Sequence, residues 1–254
     1  MRFDILDLRE FYHSPLGETA FELLASRLAR MWRPMAGKKT ATQVPQRIAA
    51  IGYGPPYLEK LWPEADITAF MPAILGITAW QYGNGNRAAL IEETALPLAD
   101  NSVDRVLVVH ALEMTHDPET LMQEIWRVLV PGGEVMIIVP NRSGFWSRRD
   151  ITPWGCGRPF SRRQLRGLVM DAGFAPVEWT SCLAVPPLQS PLFHRLARHG
   201  ENFFRLFLPQ ICGLTIVSAS KLIYSPVAPA RTPGFGLKPI PRPVLAPKLG
   251  RTES

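Results

Sequence analysis

The chain has 254 residues, 46% of them hydrophobic and 20% charged, an ordinary globular composition that can bury one substantial core. Its formal net charge of +6 suggests a nucleic-acid or anionic-lipid partner. However, Arg231, Lys238, Arg242, Lys248 and Arg251 stand in the last stretch against Glu253 alone, so the remainder is close to balanced and no nucleic acid is expected.

Cys156, Cys182 and Cys212 are far apart and odd in number, which offers neither a disulfide framework nor metal-ligand spacing. Reduced thiols in a cytoplasmic protein fit best. Near the N-terminus, Asp4, Asp7, Arg9 and Glu10 precede any apolar run, against a secretory signal. The longest apolar candidate, Phe203 to Tyr224, is broken by Arg205, Pro209, Gln210 and Lys221, so no transmembrane segment is predicted.

The first predicted helix is capped by Ser14, starts at Pro15, and repeats Leu16, Ala20, Leu24, Leu28 and Met31 on one face. A basic loop, Arg33 to Gln46, leads into a short strand, Arg47–Ile51, that ends at Gly52-Tyr53-Gly54. Pro55-Pro56 opens a helix through Trp62. Asp66–Phe70 reads as a strand, Pro72 to Tyr82 as a helix, and Ala89–Ile91 as a third strand. Val103–Val109 is a continuous β-branched run, as in a strand buried on both faces of a parallel sheet. Asp117-Pro118 starts a helix with Leu121, Ile125, Val128 and Leu129 at helical spacing, stopped by Pro131-Gly132-Gly133. Glu134–Val139 is another buried strand. Ser161 caps a helix bearing Leu165, Leu168 and Val169, closed by Gly173, and strands follow at Pro176–Leu183 and Leu214–Tyr224.

Strands alternating with helices predict a doubly wound α/β sheet. One domain is expected over 1–225, with an N-terminal helix and loop (1–45) before the core (46–225). From Pro226 the chain is proline-rich, basic and without periodicity, and 226–254 reads as a disordered tail. Its segment Lys238-Pro239-Ile240-Pro241-Arg242-Pro243 favours polyproline II, and is read either as a docking segment for a protein partner or as solvated chain.

Leu96-Pro97-Leu98-Ala99-Asp100-Asn101-Ser102-Val103-Asp104, His110-Ala111-Leu112-Glu113, Asp117-Pro118 and Glu124-Ile125-Trp126-Arg127-Val128-Leu129-Val130-Pro131-Gly132-Gly133 together resemble class I S-adenosylmethionine-dependent methyltransferases, in particular the small-molecule branch called type 11. Phe160-Ser161, Gln164-Leu165 and Ala172-Gly173-Phe174 extend the resemblance to roughly residues 45–224. It implies a seven-stranded, mostly parallel, Rossmann-like sheet whose last strand is antiparallel, and S-adenosylmethionine as cofactor.

By that resemblance the cofactor lies beyond the carboxyl ends of the central strands, at Gly52, Tyr53 and Gly54 in the first strand-to-helix turn. The family's usual acid before the first glycine and third glycine after the second are here Ala50 and Pro56. Met71 occupies the place of the acid that grips the ribose hydroxyls. A charged hydrogen bond is worth about 1.5–3 kcal/mol. Losing a two-pronged grip therefore lowers affinity by roughly one to three orders of magnitude, at tenfold per ~1.4 kcal/mol. Of Glu92 and Glu93 beside the third strand, Glu92 is read as the adenine contact, and His110 as the contact to the methionine portion or the border of the substrate site. No metal site and no general base are assigned, and Glu113 reads as a packing or capping group. Methyl transfer needs chiefly an aligned in-line attack.

Substrate elements are expected from the first helix, from the loop carrying Trp146, Arg148, Arg149, Trp154 and Arg158, and from the apolar-basic segment Leu192–Leu208. The same tryptophans also fit a surface loop packed on the N-terminal helix. Two functions follow: methyl transfer to a small molecule, or a methyltransferase-like binding or interaction protein without catalysis.

Overall fold

The central strands are apolar on both faces, and the computed structural model shows both faces covered. It describes residues 3–32, 46–83, 85–93, 95–148, 152–188, 201 and 209–222. Strands β1 (Arg47–Gly52), β2 (Asp66–Pro72), β3 (Ala88–Ile91), β4 (Val103–Val109), β5 (Leu129–Pro140), β6 (Phe174–Cys182) and β7 (Leu214–Lys221) form one sheet in the order β3-β2-β1-β4-β5-β7-β6. The first five pair in parallel, whereas β7 runs antiparallel to β5 and β6. This is the expected seven-stranded, mostly parallel sheet with its last strand reversed.

Side-chain alternation sorts the strands into two cores. Ile48, Ala50, Leu107 and Val109 face helices α1 (Ile5–His13), α2 (Pro15–Met31) and α3 (Pro55–Leu61). Ala49, Ile51, Val106 and Val108 face α4 (Pro118–Val128) and α5 (Arg162–Asp171). Helix α1 lies ahead of the region read as helical. Asp4 accepts from the N–H groups of Leu6 and Asp7 while Asp7 caps back onto Asp4, a reciprocal cap. Ile5, Leu8, Phe11 and Tyr12 form its buried stripe. Ser14 ends α1 and caps α2 through Gly17, which folds the two helices against each other.

The helix expected over Pro72–Tyr82 is not formed. The chain continues β2 through Pro72, turns with Leu75 N–H donating to Pro72 O at 2.9 Å, and passes through Gly76 at φ +85°. Leu75 O then accepts from Ile5 N–H, so backbone groups a helix would use are committed to α1. Ile77, 45% exposed, lies off the core that a helical stripe would have reached. Residues 81–82 and 85–86 instead make a two-residue antiparallel ladder.

Arg127 holds the loop before β4 against α4. Its guanidinium donates to both Glu124 oxygens at 2.9 and 2.8 Å, to Asp100 Oδ1 at 2.6 Å, and to the carbonyls of Leu98 and Leu96 at 2.8 and 3.0 Å. Leu96 N–H donates in turn to Glu124. Helix α4 stops at Val128, earlier than expected, and Pro131-Gly132-Gly133 form an irregularity at the start of β5. Among the described residues no helix is long and apolar enough to cross a membrane. The segments Arg33 to Gln46 (apart from Gln46) and Leu192–Leu208 (apart from Glu201), and the tail 226–254 with its boundary at 225, lie outside the described residues.

Candidate active site

Strand order reverses between β1 and β4, and their carboxyl ends lie side by side, Gly52 opposite Val109. In open α/β sheets this switch point is where ligands bind. Tyr53 N–H donates to Val109 O at 2.9 Å, tying the turn after β1 to β4. Gly52 has φ +86°, and a Cβ there would stand 2.0 Å from Val109 O. A Cβ on Gly54 would stand 2.8 Å from the Cβ of Ala50. The neighbouring sheet thus already requires both glycines, and Ala50 leaves the room that Gly54 uses.

Aromatic rings from three elements converge on this turn. Tyr12 of α1 stacks on Tyr53 with centroids 5.4 Å apart and meets Tyr57 of α3 edge-on at 6.0 Å. The Tyr57 hydroxyl donates to the Tyr12 hydroxyl at 2.9 Å, and Tyr12 is 2.9 Å from His110 Nε2. Burial raises both phenols above their ordinary value, Tyr12 well above it. Burial also raises Tyr53, an effect that Arg9 opposes and Glu59 reinforces.

His110 follows the last residue of β4, is fully buried, and has φ +54°. The Trp154 ring lies 3.7 Å from the imidazole at a 31° tilt. On its other nitrogen, Nδ1 faces Glu113 Oε1 at 3.4 Å. Glu113 is 1% exposed, and among the described residues neither carboxyl oxygen has a hydrogen-bond partner. Of the two roles read for Glu113, packing or capping, its burial agrees with packing. Its backbone O accepts from Arg158 N–H at 2.7 Å, which draws the loop bearing Trp154 over the end of β4.

The other expected residues occupy the rim or the core. Met71 is wholly buried, paired with Leu90 in the β2–β3 register, and its sulfur accepts from Thr78 N–H at 3.5 Å. Glu92 is exposed, while Glu93 turns inward and accepts from the Thr115 hydroxyl in the loop after β4. Trp146 is buried, donating to Val185 O at 2.7 Å; Arg148 and Arg158 are exposed, and Arg149 lies outside the described residues.

Three residues of this region were not anticipated: Tyr12, Tyr57 and Glu59, whose carboxylate accepts from the Trp80 indole N–H. The spacing of Ile5, Leu8, Phe11 and Tyr12 behind an Asp-x-x-Asp start is a readable sign of α1. Nothing local marks Tyr57 or Glu59. Farther along the carboxyl edge a separate pocket of about 420 Å³ is lined by Ser143, Arg162, Trp179, Ser181 and Thr215, among others. Among the described residues no group of histidine, cysteine, aspartate and glutamate is placed to hold a metal ion.

Residues 76–137 match the family described as a methyltransferase domain. A 129-residue stretch, 50% of this chain, is 30% identical to the uncharacterized protein YafS of Escherichia coli and covers 51% of it. Another of 109 residues, 42% of this chain, is 36% identical to the "Probable S-adenosylmethionine-dependent methyltransferase Rv3030" of Mycobacterium tuberculosis and covers 38% of it. The chain thus matches about half or less of the length of these relatives. In fold it is similar to an S-adenosylmethionine-dependent methyltransferase of Thermotoga maritima, with a TM-score of 0.57 at 16% identity over 85% of this chain and 96% of that one. A second such structure, from Archaeoglobus fulgidus, gives 0.54 at 17% identity over 85% and 98%.

Proposed function

We propose that the chain is a class I S-adenosylmethionine-dependent methyltransferase that transfers a methyl group from that family's cofactor to a small-molecule acceptor, a reading supported by the partial family match and the partial relatives. One observation carries this reading. The family match, residues 76–137, takes in Glu92, Glu93, β4, His110 and Glu113, the β4 half of the switch-point crevice.

When bound, S-adenosylmethionine supplies an electrophilic methyl group on a positively charged sulfur that leaves as a neutral thioether. The crevice residues fit a cation: the Tyr12, Tyr53 and Trp154 rings gather there, and the buried oxygens of Glu113 have no hydrogen-bond partner among the described residues. In this proposal Gly52, Tyr53 and Gly54 hold the cofactor at the first turn, and His110 borders its methionine portion. Glu92 or Glu93 faces the adenine, and Met71 packs under the ribose without gripping it. Glu59, beside Tyr53 and Trp80, is the carboxylate that takes the ribose side instead.

Calorimetric titration with S-adenosylmethionine and S-adenosylhomocysteine tests the proposal. Saturable binding weaker than that of relatives with an acid at the end of β2 is expected. No heat at millimolar ligand would overturn it.

A further inference from the structure

Four side chains from three elements form one buried line at the crevice. Tyr57 OH donates to Tyr12 OH at 2.9 Å, Tyr12 OH meets His110 Nε2 at 2.9 Å, and His110 Nδ1 faces Glu113 Oε1 at 3.4 Å. Proton counting gives the line a direction. A Tyr12 oxygen that accepts from Tyr57 has its own proton to give, and Nε2 is there to receive it. The imidazole proton then sits on Nδ1, toward the Glu113 carboxylate.

Two features of the line go unexplained by packing. Among the described residues, buried Glu113 caps no helix and neither of its oxygens has a hydrogen-bond partner. His110 holds a φ of +54°, a conformation uncommon outside glycine that persists where the surrounding structure enforces it. Trp154 covers one face of the imidazole. Burial differs along the line: Tyr57 and His110 are 0% exposed and Glu113 1%, whereas Tyr12, between Tyr57 and His110, is the most exposed of the four at 8%. Burial holds the Tyr12 phenol well above its ordinary value, so at neutral pH it keeps a proton to pass on.

We infer that Tyr12, His110 and Glu113 are a proton relay that deprotonates a hydroxyl-bearing acceptor, an inference that rests on the methyltransferase reading. The acceptor O–H bond breaks and its proton bonds to the Tyr12 oxygen, while the Tyr12 proton moves to His110 Nε2. The acceptor oxygen keeps the electron pair for its bond to the incoming methyl carbon. The imidazolium, protonated on both nitrogens, is held by the Glu113 carboxylate and returns its proton to solvent through Tyr12 after product leaves. Tyr12 is the catalytic residue; His110 and Glu113 act through it.

The test has a spectroscopic arm and a kinetic arm, both on the full chain. In protein labelled with ¹⁵N-histidine, His110, identified by its loss in His110→Asn, should carry its proton on Nδ1. Its Nε2 signal should move toward that of an unbonded ring nitrogen in Tyr12→Phe. With S-adenosylmethionine and pairs of phenols and thiophenols of matched shape, Tyr12→Phe and the isosteric Glu113→Gln should slow phenol methylation by about 10²–10⁴-fold. Thiophenols, which ionise unaided, should lose less than about tenfold by the same logic. A proton on Nε2 in the wild type, or equal losses for both acceptors, overturns the relay. Absence of S-adenosylhomocysteine binding by calorimetry sinks the methyltransferase reading and the relay with it, whereas binding with the proton on Nε2 sinks the relay alone.

Discussion

The Tyr12 hydroxyl stands 2.9 Å from Nε2 of His110, a contact between residues 98 positions apart that makes the first helix part of the crevice wall. Helix α1 reaches that position because its cap at Asp4 and its stripe of Ile5, Leu8, Phe11 and Tyr12 dock it on the sheet beside α2. Its last turn then lies over the first glycine turn, where Tyr12 stacks on Tyr53.

Removing that hydroxyl should cost more than removing its neighbour's. Tyr12→Phe deprives both Tyr57 OH and His110 Nε2 of a partner in a buried setting, a loss of about 1–3 kcal/mol. Tyr57→Phe leaves the Tyr12–His110 contact intact and should cost about 1 kcal/mol. Urea denaturation midpoints at constant slope compare the two, and the double variant should fall short of additivity because the pair shares one bond. Equal effects would mean that the Tyr12–His110 contact contributes nothing.

Gly52→Ala and Gly76→Ala separate backbone strain from collision. Both residues have positive φ, +86° and +85°. At Gly76 the nearest atom to an added Cβ is Ile5 Cγ2 at 3.7 Å, so only strain is added, about 1 kcal/mol. At Gly52 the Cβ meets Val109 O at 2.0 Å, and strain plus forced displacement of β4 should cost about 2–5 kcal/mol. Thermal unfolding ranks them, and Gly52→Ala should also weaken cofactor binding.

Installing the family's acid at the end of β2 should not restore a ribose grip. Met71 is 0% exposed within the core beneath α1 and α2. A carboxylate at this position is buried without a partner, which destabilises by about 3–5 kcal/mol. Met71→Glu is therefore expected to lower the denaturation midpoint while leaving cofactor affinity unchanged or reduced. Tighter binding in a stable Met71→Glu protein would show that this side chain reaches the crevice.

Acid should loosen the clamp between α4 and the loop before β4. Hydrogen bonds from Arg127, then from Leu96 N–H, hold the Glu124 carboxyl below the usual range against a smaller opposing effect of burial. With the folded value depressed, the unfolded chain binds the proton more readily. The contribution is fully present above the unfolded value of about 4.3 and is lost as pH falls through the lowered folded value. Stability measured from pH 7 to 3 should fall less steeply in Glu124→Gln. Arg127→Lys, which cannot reproduce the forked pairing, should behave like a partial loss.

What was legible in the sequence was whatever a short window carries. The apolar run of β4, the start of α4 at Asp117-Pro118, the cap at Ser161 and the turn at Gly52-Tyr53-Gly54 all stand where they were read, because strand burial, helix capping and turn geometry are set by neighbours a few residues away. The same logic failed over Pro72–Tyr82. There the apolar residues suit a helix, but Gly76 and the bond from Ile5 N–H to Leu75 O commit the backbone elsewhere.

The sequence by itself determined the sheet and most of its alternation with helices, since these follow from which residues must leave water. The tertiary structure decided what fills the switch-point crevice. Tyr12, Tyr57, His110 and Glu113 come from three separate elements, and only packing of α1 and α3 against the end of β4 joins the first three by hydrogen bonds and brings His110 to 3.4 Å from Glu113. It also turned Glu93 rather than Glu92 inward and sank Met71 into the core. Hydrogen bonds between distant residues depend on register and on the docking of whole elements, and no local pattern records either.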